Sequence, residues 1–268
     1  MTENRKADYS NWIPDSMIYG MAAGTAAFAA AALVSGKVLK NGKPLLRTCV
    51  KTGLTLGAAG FGAFGLWCVY AKNQFSYDGT RRLSKQIIEG TAGYISGIPE
   101  GGKILDVGCG SGALAIACAK RNPGAKVTGI DTWGPEYSNF SKQKCEDNAA
   151  AEGVNNTEFR RGNAVHLDFA DETFDAVTSN YVYHNIAGHN KQKLLRETLR
   201  TLKKGGVFAI HDIMSRQRYG DMGKFMDQLR QEGYEHVEMI PTDRGKFMTE
   251  KEAAVLMLKG SAILYGKK

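Results

Sequence analysis

Residues 104–112 read Ile104-Leu105-Asp106-Val107-Gly108-Cys109-Gly110-Ser111-Gly112 and run into Ala113-Leu114-Ala115-Ile116-Ala117-Cys118-Ala119-Lys120. An apolar run, a glycine cluster and a string of helix formers predict a buried strand, a tight turn and a helix. Glycine lets the backbone approach a ligand closely, and a helix starting there offers unpaired N–H groups. The next apolar run, Ala125-Lys126-Val127-Thr128-Gly129-Ile130, ends on Asp131. A carboxylate there can accept from both hydroxyls of a ribose. The pattern predicts a site for a nucleoside-like cofactor.

Two cofactor classes fit the glycines. Gly108, Gly110 and Ala113 satisfy the short dinucleotide fingerprint. The longer string, with Asp106 two residues before the first glycine, resembles motif I of the class I S-adenosylmethionine (SAM) methyltransferases. The resemblance covers most of residues 85–268. Gly162-Asn163-Ala164 stands where that family often has Gly-Asp-Ala beside the adenine. Phe174-Asp175-Ala176-Val177-Thr178-Ser179-Asn180 resembles its fourth strand, and Leu202-Lys203-Lys204-Gly205-Gly206 before Val207-Phe208-Ala209-Ile210 resembles its turn into strand five. This resemblance implies a doubly wound, Rossmann-like α/β sheet with helices on both faces. It also implies SAM as methyl donor and S-adenosylhomocysteine as product.

The charge is unevenly spread. The chain carries 35 Lys+Arg against 27 Asp+Glu, and residues 1–72 hold eight basic and three acidic residues. That basic excess flanks apolar segments, so anionic lipid head groups explain it more simply than nucleic acid does. The remainder is nearly balanced and has no basic-aromatic stripe, so a nucleic-acid partner is not expected. Cysteines at 49, 68, 109, 118 and 145 form no C-x-x-C pair, which argues against a zinc knuckle, a disulfide framework or any metal site. A reducing, cytosol-facing environment fits.

No charged residue lies between Ser16 and Gly36, nor between Thr52 and Ala71. Each run is long enough to cross a bilayer. Gly20-x-x-x-Gly24 and Gly53-x-x-x-Gly57 provide small-residue faces for helix packing, within one chain or between copies in a homo-oligomer. Trp67 and Tyr70 suit an interface. Residues 1–72 are therefore expected to form a membrane hairpin, residues 73–99 a linker and active-site lid helix, and residues 100–268 the SAM-binding domain. A cleaved signal peptide and a soluble hairpin are the competing readings, but Glu3, Asp8 and Asp15 precede the first segment and a second follows it. The loop 37–51 holds five cations and the flanking side six, so the positive-inside rule gives no bias. SAM availability places the catalytic domain in the cytoplasm.

Strands are expected at 103–107, 125–130, 156–160, 174–179, 206–212, 235–240 and 261–266. Helices are expected at 82–95, 111–121, 136–152, 190–203 and 219–232. Such alternation gives a doubly wound sheet. Leu194, Leu195, Leu199 and Leu202 make a core stripe. Leu83, Ile87, Ile88 and Gly90 line the inner face of the lid helix, and Phe75, Tyr77 and Tyr94 are candidates to cover the site. The segment Pro241–Glu252 resembles the family's closing hairpin.

Ligands of open α/β sheets bind beyond the carboxyl ends of the strands. That rule selects Asp106, Gly108, Cys109, Gly110 and Gly112 for the methionine part and the ribose, Asp131 and Thr132 for the ribose diol, Asn163 and Ala164 for the adenine, and Asn180 beside the donor. Cys109 reads as a small turn residue. Methyl transfer is an in-line displacement that requires alignment above all. A base is needed only where the acceptor loses a proton. His184, Tyr183 and His211 are the candidates for chemistry, with Asp212 to orient a histidine and Tyr181 as a further aromatic wall. The expected activity is membrane-anchored methyl transfer to a small or lipophilic O, N or S acceptor. A SAM-binding scaffold without turnover and a carbon-methylating lipid or quinone-type enzyme are the alternatives.

Overall fold

The computed structural model describes residues 6–9, 13–134 and 139–268. The chain forms two compact units. One is a helical hairpin within residues 11–82. The other holds residues 83–268 together with residues 6–9, so the division falls at 82 instead of 72 and the described N-terminal residues belong with the sheet.

In the hairpin, α1 (Asp15–Val38) and α2 (Pro44–Phe75) run antiparallel. Pro44 opens α2, where its missing N–H leaves no hydrogen bond unmade. A Cβ added at Gly24 would stand 2.5 Å from Phe61, and one at Gly57 would stand 2.6 Å from Phe28. The two rings stack at 5.3 Å. Each helix thus inserts a phenylalanine against the other's glycine, and the second glycine of each small-residue pair is used within the chain. Gly20 and Gly53 face open space. At the open end Lys72 Nζ meets Asp15 Oδ1 at 2.5 Å. Leu33, Leu56 and Leu66 are 76, 66 and 74% exposed.

The second unit carries seven strands: β1 (Lys103–Val107), β2 (Lys126–Asp131), β3 (Thr157–Arg161), β4 (Phe174–Asn180), β5 (Leu202–Ile213), β6 (His236–Pro241) and β7 (Ser261–Lys267). Their order is β3-β2-β1-β4-β5-β7-β6, with β7 antiparallel to both neighbours. The strand order reverses between β1 and β4, which opens the crevice where doubly wound sheets bind ligands. The connecting helices are α3 (Leu83–Ala92), α4 (Ala113–Arg121), α5 (Lys142–Ala151), α6 (Lys191–Arg200), α7 (Arg216–Tyr219), α8 (Met222–Gln231) and α9 (Glu250–Val255). Leu194, Leu195 and Leu199 of α6 are buried with Leu105, Val177, Phe208 and Ile210 in the core. Each such side chain contributes roughly 1.5–3 kcal/mol.

Three expected elements differ. The helix expected at 219–232 starts only at Met222, because Gly220 adopts φ +74° and the Asp221 carboxylate caps α8 by accepting from Lys224 N–H; the short α7 precedes it. β5 begins at Leu202 and runs through the expected turn with a register shift opposite Phe174–Ala176. The helix expected at 136–152 starts at Lys142, where the Ser141 hydroxyl caps it; residues 135–138 lie outside the described residues. The closing segment gains α9, set by a Thr249–Glu252 capping box. Gly90 of α3 receives the Phe247 ring, 2.3 Å from where a Cβ would be. The Tyr94 and Tyr265 rings meet at a tilt with centroids 4.9 Å apart, which ties Tyr94 to β7.

Candidate active site

The turn after β1 places Gly108, Gly110 and Gly112 at φ +74°, +56° and +83°. Glycine adopts these left-handed values without steric cost. Gly108 and Cys109 N–H both donate to the Ile130 carbonyl, at 2.8 and 2.9 Å, which binds the turn to the end of β2. The Gly110 peptide is held on both sides. Its N–H donates to Asp131 Oδ2 at 2.9 Å. Its carbonyl accepts from the Trp133 indole N–H at 3.0 Å and from the Cys145 thiol at 3.1 Å. Asp131 Oδ1 accepts from Trp133 N–H at 2.8 Å. Each Asp131 oxygen keeps a second lone pair, so the half-buried carboxylate can still receive a diol. Trp133 holds φ +44°, an uncommon conformation for a bulky residue that these two hydrogen bonds stabilise.

Asp106 is 1% exposed, and no well-formed hydrogen bond satisfies either carboxylate oxygen, although the Ala115 backbone N–H lies close by. Burial pushes its carboxyl up to about 8; the Ala115 backbone N–H opposes the rise and the nearby Asp131 charge adds to it. An orphaned acid immediately before a glycine turn suits a cationic group, such as the ammonium of a bound amino acid. Burial likewise raises the Cys109 thiol, consistent with a packed turn residue.

The other expected cofactor residues are placed as follows. Thr132 is exposed beside Asp131. Ala164 is 9% exposed. The Asn163 amide oxygen accepts from Val165 N–H at 2.9 Å, so it shapes its own turn. The Asn180 amide oxygen accepts from His211 Nδ1 at 2.7 Å. Asn148 joins two segments. Its amide donates to the carbonyls of Ser111 in the glycine turn, at 2.9 Å, and of Asp8, at 3.0 Å.

Beyond β4, Tyr181 takes φ +56° and residues Tyr183–Asn185 form a 3-10 turn. This turn follows Val182, whose side chain fills the space a Gly108 Cβ would need, 2.3 Å away. The turn therefore adjoins the glycine turn. His184 is 14% exposed at its side chain, and its Nδ1–H donates to Asp212 Oδ1 at 2.5 Å. The Asp212 carboxylate is fully buried and also accepts from His184 N–H at 3.1 Å, Ile213 N–H at 2.6 Å and Tyr219 O–H at 2.8 Å. Burial alone would raise the Asp212 carboxyl; the hydrogen bond and charge of His184, with the Tyr219 and Ile213 donors, outweigh it and hold the group below its ordinary value. Asp212 thus fixes the His184 tautomer with Nδ1 protonated and Nε2 carrying the lone pair.

Tyr183 and His211, the other two candidates for chemistry, are both fully buried. Tyr183 is fully buried in the core, with its hydroxyl 2.7 Å from that of Thr198, and burial raises its phenol. His211 is fully buried between Asn180 and the Thr242 hydroxyl, the latter at 2.8 Å from Nε2. Burial pushes His211 down to about 3, against the pull of Asp212, so it stays neutral. Trp133 and Tyr219 were not expected; the only signal for Trp133 was an aromatic two residues after the carboxylate. Among the described residues no His/Cys/Asp/Glu group could hold a metal.

A family model for a methyltransferase domain matches residues 98–254, more than half of the chain. The chain belongs to this family. Sterol 24-C-methyltransferase of Gibberella zeae is 33% identical over 124 residues, 46% of this chain and 30% of that protein. Demethylmenaquinone methyltransferase of Halalkalibacterium halodurans is 36% identical over 110 residues, 41% of this chain and 42% of that protein. The matched stretches span less than half of these relatives. The crystal structure of the cyclase SpnF gives a TM-score of 0.53 at 19% identity, over 72% of this chain and 85% of that one, and supports the fold. Residues 98–254 are thus a methyltransferase domain on the Rossmann-like sheet described above, and the dinucleotide reading of its glycines is set aside.

Proposed function

We propose that this methyltransferase is held at a membrane by its hairpin and methylates a small lipophilic acceptor whose reacting O, N or S atom carries a proton. The observation that carries the reading is the buried Asp212 carboxylate on His184 Nδ1. Asp106, the glycine turn, Asp131, Thr132 and Trp133 would hold SAM, with Ala164 walling the adenine side. SAM brings a methyl group already activated by a sulfonium centre. His184 Nε2 accepts the proton that the acceptor loses, and Asp212 steadies the imidazolium that results. Tyr219 and the Ile213 N–H keep Asp212 ionised and aimed. Val182 and Tyr181 wall the acceptor side; the Tyr181 ring stands 5.9 Å from the His184 ring. A base has no use in a scaffold without turnover.

The lengths of the hairpin support the membrane reading. Asp15 to Lys37 along α1 and Lys51 to Lys72 along α2 each span about 32 Å at 1.5 Å per residue. That matches a hydrocarbon core of about 30 Å. Both helices expose leucines along this span. A hairpin in lipid raises the local concentration of acceptors dissolved there. With the catalytic unit on the cytoplasmic side, it also meets SAM.

Nitrogen-15 NMR of the histidine rings tests the chemistry without knowing the acceptor. The neutral His184 ring should show a protonated Nδ1 and an unprotonated Nε2, and the Nε2 resonance should move when SAM replaces S-adenosylhomocysteine. Asp212→Asn should redistribute the tautomers. A His184 ring protonated on Nε2, or one indifferent to the donor's charge, would remove it as the base.

A further inference from the structure

The end of the hairpin that joins α1 to α2 is unlike its other end. Lys37, Lys40, Lys43, Arg47 and Lys51 are all exposed there, and no acidic residue lies between positions 37 and 51. At the other end, Lys72 is paired with Asp15. The cations at the joined end are interleaved with apolar side chains that are equally open: Val38, Leu45 and Leu46 are 73, 77 and 53% exposed. Water would leave three aliphatic side chains unburied, and hydrocarbon would leave five charges without partners. One environment satisfies both sets, the boundary where phosphates meet acyl chains. Lysine and arginine bury their stems there and hold their charges among the phosphates.

We infer that the joined end of the hairpin is a docking surface for the phosphate groups of anionic phospholipids, with Lys37, Lys40, Lys43, Arg47 and Lys51 as its ligating cations. This rests on the membrane reading above and adds a lipid preference to it. Arg47, with its forked guanidinium, can take two phosphate oxygens at once. Its headgroup lies one turn into α2, near the α1 end at Gly36. The aliphatic residues seat the surface at the correct depth, and the cations choose the lipid. Neutral zwitterionic head groups carry a phosphate beside a cation and would compete poorly.

The protein carries its own probe site. Cys49 is exposed, two residues from both Arg47 and Lys51, while Cys68, Cys109, Cys118 and Cys145 are buried. A thiol-reactive fluorophore on Cys49 of the full chain therefore reports on this surface. The labelled protein is reconstituted into phosphatidylcholine vesicles containing equal mole fractions of phosphatidylglycerol, with bromine on the acyl chains of one lipid or the other. Vesicle flotation is read on the same samples. Each cation near an anionic surface is worth about a fivefold enrichment, so brominated phosphatidylglycerol should quench at least about twice as strongly as brominated phosphatidylcholine. The difference should shrink with added salt. It should vanish when all five cations are replaced (Lys37→Gln, Lys40→Gln, Lys43→Gln, Arg47→Gln and Lys51→Gln), changes at exposed positions that leave the Phe28–Phe61 packing untouched. Protein that floats with vesicles yet is quenched equally by both lipids overturns the lipid preference and leaves the anchor standing. Protein that does not float with either vesicle overturns both.

Discussion

With Asp106 on the ammonium of SAM, as proposed, SAM binding should depend on pH. The carboxyl is 1% exposed, without a well-formed hydrogen bond, and pushed up to about 8 by burial. Below that pH the ligand-free protein holds it neutral. Pairing with the ammonium of bound SAM requires the ionised form, so binding must expel the proton. For one such group the affinity falls tenfold per pH unit below the free-state value. Going from pH 8 to pH 6 should therefore weaken SAM binding by about 50-fold, with close to one proton released per SAM at pH 6. The same group shapes stability. Its folded value lies above the ordinary 3.8, so the folded chain holds the proton that the unfolded chain has lost. The ligand-free protein accordingly loses stability as pH rises from about 4 to about 8, by up to on the order of 5 kcal/mol from this group. Asp106→Asn removes both effects at once. Calorimetry at several pH values, in buffers of different ionisation enthalpy, reads affinity and proton release together. Proton release near zero at pH 6, or an Asp106→Asn variant with an unchanged pH slope, would refute the reasoning.

Other substitutions probe separate parts of the account. Asp212→Asn should lower methyl transfer by about 10²–10⁴-fold with SAM affinity little changed, because it loses the tautomer and not the cofactor site; a loss of SAM affinity of equal size would mark Asp212 as structural. Trp133→Phe keeps the ring but removes the N–H on the Gly110 carbonyl, and should weaken SAM binding by about 1 kcal/mol in calorimetry. Asp131→Ala should cost roughly 1.5–3 kcal/mol of SAM binding, the usual scale for hydrogen bonds to a charged group; unchanged affinity would take it out of the ribose site. In the hairpin, Gly24→Leu would place a side chain where the Phe61 ring stands 2.5 Å from the added Cβ. Overpacking of that kind costs about 1–3 kcal/mol, measurable as a lowered melting temperature of the detergent-solubilised chain.

Much of this was legible in the chain. The string from Ile104 to Gly112 dictated a strand, turn and helix, because glycine takes the three left-handed positions found there without steric cost. Strand alternation with amphipathic helices led to the doubly wound sheet. The start of α8 was written as Gly220-Asp221, a stop followed by a cap, ahead of the helical spacing of Met222, Phe225 and Leu229. The start of β5 was hidden because Lys203-Lys204-Gly205-Gly206 has the composition of a turn and is instead an irregular edge of a strand. At the site, cofactor-side positions followed from strand ends. Acceptor-side roles did not, since they depend on which histidine meets Asp212, and residues 184 and 212 are brought together only by the β4–β5 pairing. Composition cannot distinguish His184, partly open and oriented, from His211, buried and neutral.

The central claim is methyl transfer to a lipid-dissolved acceptor, and the direct measurement follows methyl-labelled SAM with the detergent-purified full chain. Membrane lipid extract and the soluble small-molecule pool are supplied separately. The account predicts label on a heteroatom of a molecule in the lipid extract, lost on His184→Gln while SAM still binds. Label confined to the soluble pool would contradict the lipid acceptor, and SAM binding with no transfer into either fraction would contradict the enzyme the geometry describes.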